Sequence, residues 1–303
     1  MATKTFFVDK DDADCRLDRY LSDNLESLSR SYIQKLITDG HVLVGGLPRK
    51  SNYRLTGGDI ITAQIPDPEP YDVKPENIPL DILYEDEDLI FIDKPKGMVV
   101  HPGAGHETGT VVNALLYHCG DSLSGINGIM RPGIVHRIDK DTSGVIVCCK
   151  NDRAHRAVAE QLARHSVNRK YFAICNGVID ADGTVDAPIA RNRNNRLKMS
   201  VSDGGRRAVT HYRVLEVFNK YTHIECCLET GRTHQIRVHM DYIHHPLLGD
   251  ELYGNIPSAF KTSGQMLHAG VLGLVHPTSG EYLEIISPLP NYFKNILKSL
   301  KNR

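Results

Sequence analysis

Apolar residues near the N-terminus recur at helical spacing, and farther along the chain they form short continuous runs. Two sets repeat every three or four residues, as on one face of a helix: Leu17, Tyr20, Leu21 and Leu25, then Ile33, Leu36 and Ile37. Ser29 is placed to cap the second helix, and Gly40 to end it. Apolar runs at 41–47 and 60–65 predict short strands. Residues 14–66 are therefore predicted to form a small module of two helices and a sheet.

A proline-rich stretch follows this module. Residues 66–79 hold five prolines and few apolar residues, which predicts a stiff extended linker over 67–79. Beyond it, 80–303 is long enough to bury a core of its own. The predicted helices and strands of this region are helices at 110–118 and 151–165 and strands at 82–84, 89–94, 145–149, 170–175, 208–218 and 222–228. Because these strands do not alternate strictly with helices, the fold class is predicted as α+β, with a mixed, largely antiparallel sheet flanked by helices.

The stretch GIVHRIDKDTSG, residues 133–144, places an aspartate between two apolar segments. The first, at 133–138, is predicted as a short buried strand, and Val145–Cys149 as a second. Gly144 permits a sharp turn between them. Burying a lone carboxylate costs several kcal/mol, roughly, unless a cation or hydrogen-bond donors compensate. Asp139 is therefore expected to have a cationic partner and to take part in chemistry.

Charge is unevenly distributed in a chain whose formal net charge is −1. Residues 131–240 contain nineteen Lys and Arg against eleven Asp and Glu, whereas 66–93 contain ten acidic residues and one lysine. A basic segment in a neutral chain suggests a one-sided phosphate-binding face, although a solvated basic surface explains the counts equally well. Seven cysteines without a C-x-x-C pattern indicate reduced residues in a cytoplasmic protein. No apolar run reaches the roughly 20 residues of a membrane span.

Three motifs, in this order, resemble those of the RluA family of pseudouridine synthases. HRIDKDTSG (136–144) is similar to the family's H-R-L-D-x-x-T-S-G, with Ile138 in place of leucine. Arg169-Lys170-Tyr171 opens a strand, and GRTHQIRVH (231–239) is followed by HPLLGD (245–250). The resemblance covers the chain from about residue 79 to its end. It implies isomerisation of uridine to pseudouridine in RNA, without metal or cofactor.

The resemblance also assigns roles to individual residues. Asp139 matches the catalytic aspartate, which attacks C1′ or assists loss of the C2′ proton. Arg237 matches the arginine that pairs with this carboxylate, and Tyr171 the tyrosine that packs on the flipped uracil. Leu267 matches an apolar residue that lines the pocket, and Arg137, within the first motif, is expected to bind substrate.

The module at 14–66 resembles an S4 RNA-binding domain, through RLDRYL near its start and GGDII near its end. The alternative is a small α+β cap with solvated charges. A second RNA-binding segment is expected in the polar, basic stretch 192–207, interpreted as a mobile loop. The candidate phosphate contacts are Arg16, Arg19, Arg30, Lys35, Arg49, Lys50 and Arg54 in the module and Arg193, Arg196, Arg206 and Arg207 in the loop, with Arg191 and Lys198 beside them.

Other readings of the same residues remain open. Asp139-Lys140-Asp141-Thr142 also satisfies D-x-D-x-T, the nucleophile loop of magnesium-dependent haloacid-dehalogenase-like phosphatases. A non-catalytic RNA-binding assembly factor is a further alternative. His234 and His239 are five residues apart, which does not suit two metal ligands on one helix face, so no metal site is predicted.

The two-domain layout most resembles the RluD and RluC branch of the family, which acts on large-subunit ribosomal RNA. Transfer RNA is the alternative target. We expect a monomer that binds RNA and no membrane.

Overall fold

The computed structural model divides the chain into two compact units, Met1–Tyr71 and Asp72–Arg303. It describes residues 2–25, 30–65, 73–103, 106–120, 122–126, 131–192, 194–195, 197–254, 256 and 260–302, with the backbone alone at 2, 11, 30–32 and 35. No helix among these residues has the length and apolar character needed to cross a membrane.

The first unit is a four-stranded antiparallel sheet with two helices. Its elements are β1 (Ala2–Phe7), α1 (Leu17–Asn24), α2 (Arg30–Thr38), β2 (Val42–Val44), β3 (Leu47–Pro48) and β4 (Ile60–Ile65). The strand order is β1-β4-β2-β3. The apolar faces predicted for the two helices are the buried ones: Leu17, Leu21 and Ile33 are fully enclosed. Strand β1 precedes the predicted module, and its pairing with β4 makes it part of this unit. The predicted Ser29 cap lies outside the described residues.

The second unit is built on one large mixed sheet. The strands of the second unit, of which β10 and β11 form a separate pair, are β5 (Ile82–Glu85), β6 (Leu89–Lys94), β7 (Ser143–Cys149), β8 (Asn168–Asn176), β9 (Gly183–Asp186), β10 (Ile189–Arg191), β11 (Met199–Val201), β12 (Val209–Val217), β13 (Tyr221–Leu228), β14 (Leu267–Val275) and β15 (Tyr282–Ile286). Its helices are α3 (Val111–Cys119), α4 (Asp152–Ala163), α5 (Gln235–Tyr242) and α6 (Asn291–Lys301). The α+β class and the largely antiparallel sheet are confirmed.

Nine strands form the large sheet, in the order β5-β6-β7-β14-β8-β13-β12-β9, with β15 beside β14. Among the described strands, β7 and β14 pair in parallel and the other pairs of this sheet are antiparallel. Every residue of β7 is buried, as the β-branched run at 145–149 predicts. Central strands β7, β14 and β8 therefore form a rigid base for the loops at their ends.

Two predictions about the segment around Asp139 are wrong. Residues 133–138 are not a strand: they run as irregular chain, with one isolated bridge between Ile134 and Cys148. Gly144 lies within β7 rather than in a turn before it, with φ of +114°. Its role is close packing, because a Cβ atom there would lie 2.2 Å from the carbonyl oxygen of Ala269 on β14.

The basic stretch 192–207 is partly ordered into a hairpin rather than being a loop throughout. Strands β10 and β11 pair antiparallel between Ile189–Arg191 and Met199–Val201. The N–H of Arg206 then donates to the carbonyl of Ile189. The segment therefore folds back on itself at the edge of the second unit.

The described part of the predicted linker, 73–79, packs on the second unit. Val73 is 9% exposed and belongs to the core cluster that includes Val111, Val112 and Leu115 of α3. The Asn113 side chain donates to the carbonyl of Lys74, and the Glu76 N–H donates to the carbonyl of Asn113. These contacts tie 73–76 to α3. Residues 67–72 lie outside the described chain, and the linker and domain boundaries as such stay predictions.

Candidate active site

Asp139 lies on the loop between Ile138 and the start of β7, and this loop is held by hydrogen bonds to backbone oxygens. The fully buried Nζ of Lys94 donates to the carbonyls of Pro95, Met98 and Lys140 at 2.8, 2.8 and 3.0 Å. The Gly97 N–H donates to the same Lys140 carbonyl at 2.9 Å. Burial lowers the pKa of Lys94 to about 7, against the opposing charges of Asp141 and Asp139. The lysine thus anchors the residue next to Asp139.

The carboxylate of Asp139 pairs with Arg237 on α5. Arg237 Nη1 donates to Asp139 Oδ2 at 2.9 Å, and the two side chains are 8% and 17% exposed. The rest of the guanidinium is held by the fully buried Asp250, which accepts from Nε at 2.7 Å and from Nη2 at 2.9 Å. A bidentate contact of this kind fixes the plane of the guanidinium as well as its position. Arg237 therefore points at Asp139 in a set direction.

Burial lowers the pKa of Arg237, but the hydrogen bonds and charges of Asp250 and Asp139 outweigh it and raise the pKa above its ordinary value. The arginine is a permanent cation in a site from which most water is excluded. Removing a bidentate partner from such a pair would leave an uncompensated buried charge, which is strongly destabilising. Asp250 lies within the HPLLGD motif, but the sequence analysis gave it no role.

A second chain of contacts reaches the other oxygen of Asp139. His234 Nε2 lies 3.8 Å from Asp139 Oδ1, and His234 Nδ1 lies 2.8 Å from the hydroxyl of Tyr253. This hydroxyl accepts the Met199 N–H at 2.8 Å, so its own proton is available to His234 Nδ1. That arrangement leaves the imidazole proton on Nε2, facing Asp139. The Tyr253 ring also lies 5.0 Å from the guanidinium carbon of Arg237.

His234 is the N-cap of α5. Its φ of +56° is left-handed, a conformation that costs a non-glycine residue about 1 kcal/mol or more and is concentrated at functional sites. Burial lowers the pKa of His234, while Asp139 raises it and Arg237 lowers it further. The ring is therefore neutral at neutral pH. His234 lies within the GRTHQIRVH motif, which is the signal in the sequence that could have identified it.

Tyr171 and Leu267 form an apolar wall on the other side of Asp139. They share a buried cluster with Ile138, the residue before Asp139, and with Ile236 of α5. Tyr171 is 8% and Leu267 5% exposed. Burial raises the pKa of Tyr171; the positive charge of Arg169 opposes this increase, and the negative charge of Asp139 adds to it. The predicted residues Asp139, Tyr171, Arg237 and Leu267 thus meet in space, although they come from four separate elements.

Arg137 is exposed on the same loop, two residues before Asp139. Its charge contributes to lowering the pKa of His101 and of His234, after the larger effect of burial on each. It is therefore close to the site but free of the core cluster.

Within the first unit, three of the predicted RNA contacts share one cleft. Arg16, Arg49 and Lys50 line a cavity of about 700 Å³ together with Thr38 and Asn52. Arg16 is also paired with the buried Asp18 at 2.9 Å, which fixes its position. Arg19 lies 3.9 Å from Asp23, and Arg54 bonds the carbonyl of Asp14 at 2.6 Å. The side chains of Arg30 and Lys35 lie outside the described atoms.

In the second unit, Arg206 and Arg207 are both exposed at the start of β12. Arg207 pairs with Glu229 at 2.9 Å. Arg193 and Arg196 lie outside the described residues.

One group of potential metal ligands lies close together among the described residues. Glu85, His118 and Cys119 place their ligand atoms within 4.8 Å of one another. Glu85 is already paired with His118 and with Lys150, each at 2.8 Å. Burial raises the pKa of Cys119 to about 11, which disfavours the thiolate that a metal needs. His239 is buried and bonded to Thr210 and to the carbonyl of Ala187, as expected of a structural histidine.

An S4-like unit, a large mixed sheet and a carboxylate paired with a buried arginine agree with the RNA-modifying enzyme that the motifs imply, and comparisons with known proteins establish the class. The family model for RNA pseudouridylate synthase matches residues 88–242, and that for the S4 domain matches 15–61. The chain belongs to the RNA pseudouridylate synthase family, and is an isomerase that acts on RNA. The phosphatase interpretation of Asp139-Lys140-Asp141-Thr142 is not favoured by these matches.

Relatives cover nearly the whole chain. An uncharacterised RNA pseudouridine synthase of Bacillus subtilis is 51% identical over 94% of this chain and 94% of its own. A ribosomal large subunit pseudouridine synthase D of Zymomonas mobilis is 49% identical over 94% of this chain and 93% of its own. Among solved structures, human RNA pseudouridylate synthase domain containing 4 is 28% identical with a TM-score of 0.57, covering 73% of this chain and 92% of that one.

Proposed function

We propose that this protein converts specific uridines of large-subunit ribosomal RNA to pseudouridine, with Asp139 as the catalytic residue. The observation that carries the proposal is the Asp139–Arg237 pair at 2.9 Å, completed behind Arg237 by the bidentate contact to Asp250. It places an anionic oxygen, fixed in direction, where a nucleotide has to come.

The reaction is a rearrangement without net oxidation or reduction. The N1–C1′ bond breaks, uracil turns, and a new bond joins C5 to C1′; the proton lost from C5 is balanced by one gained at N1. Asp139 either attacks C1′ directly or accepts the C2′ proton. Both routes need an ionised carboxylate in a site shielded from water, and the Arg237 guanidinium supplies the counter-charge for it at 2.9 Å.

The contacts of Asp139 distinguish its two oxygens. Oδ2 accepts the hydrogen bond from Arg237, whereas Oδ1 has His234 Nε2 as its neighbour at 3.8 Å. A separation of 3.8 Å is longer than a hydrogen bond, so Oδ1 is not bonded to His234 in this structure. Oδ1 is therefore the oxygen that we assign to the reacting sugar, with His234 placed to donate to it as charge moves.

Tyr171 and Leu267 serve to hold the uracil. Stacking a base on one aromatic side chain contributes roughly 1–3 kcal/mol, which offsets much of the few kcal/mol that extrusion from a helix costs. Arg137, exposed on the loop before Asp139, is the residue that we assign to contact with the RNA around the extruded nucleotide.

The ribosomal target is supported by the names of the relatives, several of which are ribosomal large subunit pseudouridine synthases D at 42–49% identity. The cleft lined by Arg16, Arg49 and Lys50 in the first unit provides a second RNA contact. Target choice rests on such surface contacts and on RNA shape, which one chain does not specify.

The test is a comparison of carbodiimide-based pseudouridine maps of total RNA from cells with and without the gene. We expect primer-extension stops to vanish at one or more positions of large-subunit ribosomal RNA, and to return with a plasmid copy of the gene. Stops lost only from transfer RNA would replace the ribosomal assignment. Unchanged maps in both RNA classes would contradict the proposed function.

A further inference from the structure

Four arginines come together beside the start of α5, at the edge of the sheet where β8 and β12 begin and β13 ends. They are Arg169, Arg206, Arg207 and Arg232. Arg169 and Arg232 were absent from the phosphate contacts predicted from the sequence. We name this set the arginine cluster.

Backbone contacts hold the cluster together. Arg232 Nε donates to the carbonyl of Arg207 at 2.9 Å. Arg169 Nη2 donates to the carbonyls of Glu229 and Leu228 at 3.1 and 3.4 Å. Gly231 adjoins the Arg169 guanidinium so closely that a Cβ atom at 231 would lie 2.8 Å from Nη1. The glycine next to Arg232 is thus what lets Arg169 lie beneath this segment.

Positive charge in the cluster exceeds the negative charge that faces it. Arg169 is 8% exposed, and its Nε has no hydrogen-bond partner among the described residues. Glu229 is the carboxylate bonded to this group in the described chain, and it is shared between Arg207 at 2.9 Å and His211 at 2.8 Å. Burial lowers the pKa of Arg232, as do the charges of Arg206, Arg169 and Arg207. Repulsion among cations held this close is relieved by binding an anion.

The cluster is adjacent to the proposed base-binding wall. Arg169 and Tyr171 are two residues apart on β8, and both are buried, so they lie on the same face of the sheet. Side chains at this spacing on a strand are about 6.6 Å apart. An anion at the cluster is therefore within a nucleotide or two of a base packed on Tyr171.

We propose that the arginine cluster binds a backbone phosphate of the RNA substrate close to the target uridine, with Arg206, Arg207 and Arg232 in contact and Arg169 adding charge from beneath. This inference rests on the proposed function, since it takes RNA as the ligand. The cluster then fixes the RNA strand so that the extruded nucleotide meets Asp139.

The experiment combines a protein variant with a change in the RNA. Arg232→Gln removes one cation, and Arg213→Gln is the matched control, because Arg213 is an exposed arginine of β12 already paired with Glu225 at 3.3 Å. Binding of a short RNA that contains the mapped uridine is measured by fluorescence anisotropy. Each phosphate within three nucleotides of that uridine is replaced in turn by a neutral methylphosphonate. Melting temperatures of both variants establish that they are folded.

With wild-type protein, we expect one or two of these replacements to weaken binding about tenfold, as for the loss of a charged hydrogen bond. Arg232→Gln should bind unmodified RNA about tenfold more weakly and lose little more on those same replacements. Its slope of log Kd against log salt should fall by about 0.7, the value for one single-strand phosphate. Arg213→Gln should behave as wild type throughout.

Equal losses from methylphosphonates in wild type and Arg232→Gln would overturn the assignment, because the arginine would then not touch that phosphate. A second result would also overturn the assignment. If tripolyphosphate raises the melting temperature of wild type but not of Arg232→Gln, and no methylphosphonate replacement depends on Arg232, the cluster is a site for a free anion. The proposed function has its own readout: an enzyme that forms pseudouridine but shows no coupling retains that function and loses only this inference.

Discussion

At the scale of single residues, the site depends on one arginine that has two acidic partners with different tasks. Asp250 is fully buried and holds Arg237 through two hydrogen bonds, whereas Asp139 is 17% exposed and takes one. The first pair fixes the guanidinium and the second presents a carboxylate to the solvent side. Arg237 is therefore a positioning residue that acts through Asp139.

Replacing Arg237 tests this division. Arg237→Ala should abolish turnover, because Asp139 loses both its counter-charge and its fixed direction. The bared Asp250 lowers the free energy of unfolding, but the RNA affinity of the folded fraction, established by a melting curve, stays nearly unchanged. Arg237→Lys keeps the charge but lacks the planar fork that reaches both carboxylates, so we expect turnover to fall at least about a hundredfold. Single-turnover rates and anisotropy titrations on the same RNA measure the two quantities. Equal loss of rate and affinity in both variants would contradict the assigned role.

The residues of the site were predicted only as far as sequence motifs reach. Asp139, Tyr171 and Arg237 were found because they lie in motifs that resemble a family, and the structure brings Asp139 and Arg237 to 2.9 Å across 98 positions. Asp250, His234, Arg169 and Arg232 lie in or beside the same motifs, but their roles follow from contacts through space that periodicity does not encode. The helical spacing of the apolar residues Ile236, Met240 and Ile243 alone would have placed Arg237 on a solvated helix face.

At the scale of elements, local patterns predicted the regular structure well and the irregular structure poorly. The helix predicted at 151–165 is present as α4, and the Asn151 side chain caps it by accepting the Ala154 N–H at 2.9 Å. The prediction of a strand at 133–138 was wrong, because a short apolar run can be buried in a core as irregular chain just as well as in a strand. Strands β1, β9–β11, β14 and β15 and helix α6 were not predicted. Strands β1 and β9–β11 are short or polar and depend on their pairing partners rather than on their own composition.

The close approach of β7 and β14 gives a prediction at this scale. Gly144→Ala would place a methyl group 2.2 Å from the Ala269 carbonyl oxygen at a φ of +114°. Overpacking and backbone strain each cost about 1–3 kcal/mol, so we expect a loss of about 2–6 kcal/mol in the free energy of unfolding. Urea denaturation measures it. Gly204→Ala is the control, because it meets nothing within 4 Å and has no left-handed φ; similar losses in both variants would show that the packing of β7 on β14 is not the cause.

At the scale of the whole molecule, a chain of net charge −1 concentrates its cations where RNA is expected. The S4-like unit has its own cleft of arginine and lysine, and the second unit has the arginine cluster near Tyr171. Net charge therefore says little about nucleic-acid binding here, and the arrangement of charges says much more.

Buried neutral histidines make the stability of the molecule depend on pH. Burial lowers the pKa of His136 to about 3 and those of His101 and His223 to about 4, with nearby arginines or Lys301 adding to the effect. His136 retains some exposed surface, yet its Nε2 accepts the Val147 N–H at 3.0 Å and must stay unprotonated to do so. Below the unfolded value of about 6.5, the unfolded chain binds protons that the folded one does not, so stability falls as pH falls.

Each such histidine contributes a slope of up to about 1.4 kcal/mol per pH unit between pH 6.5 and its folded pKa. His136→Gln keeps an acceptor for Val147 without the titration. Its free energy of unfolding from urea titrations should therefore decline less steeply than that of wild type between pH 6.5 and 4.5. Parallel declines would show that His136 binds protons in this range in the folded chain as it does in the unfolded one, which would contradict the lowered pKa.

The most direct test of the account is release of tritium from RNA labelled at C5 of uridine, under single-turnover conditions. Asp139→Asn keeps the size of the side chain and removes the anion; Asp141→Asn, two residues on, is the matched control. We expect Asp139→Asn to lose at least about four orders of magnitude in rate with RNA affinity within about threefold of wild type, and Asp141→Asn to keep at least about a tenth of the rate. Tritium release by Asp139→Asn at a rate close to that of wild type would contradict the central claim.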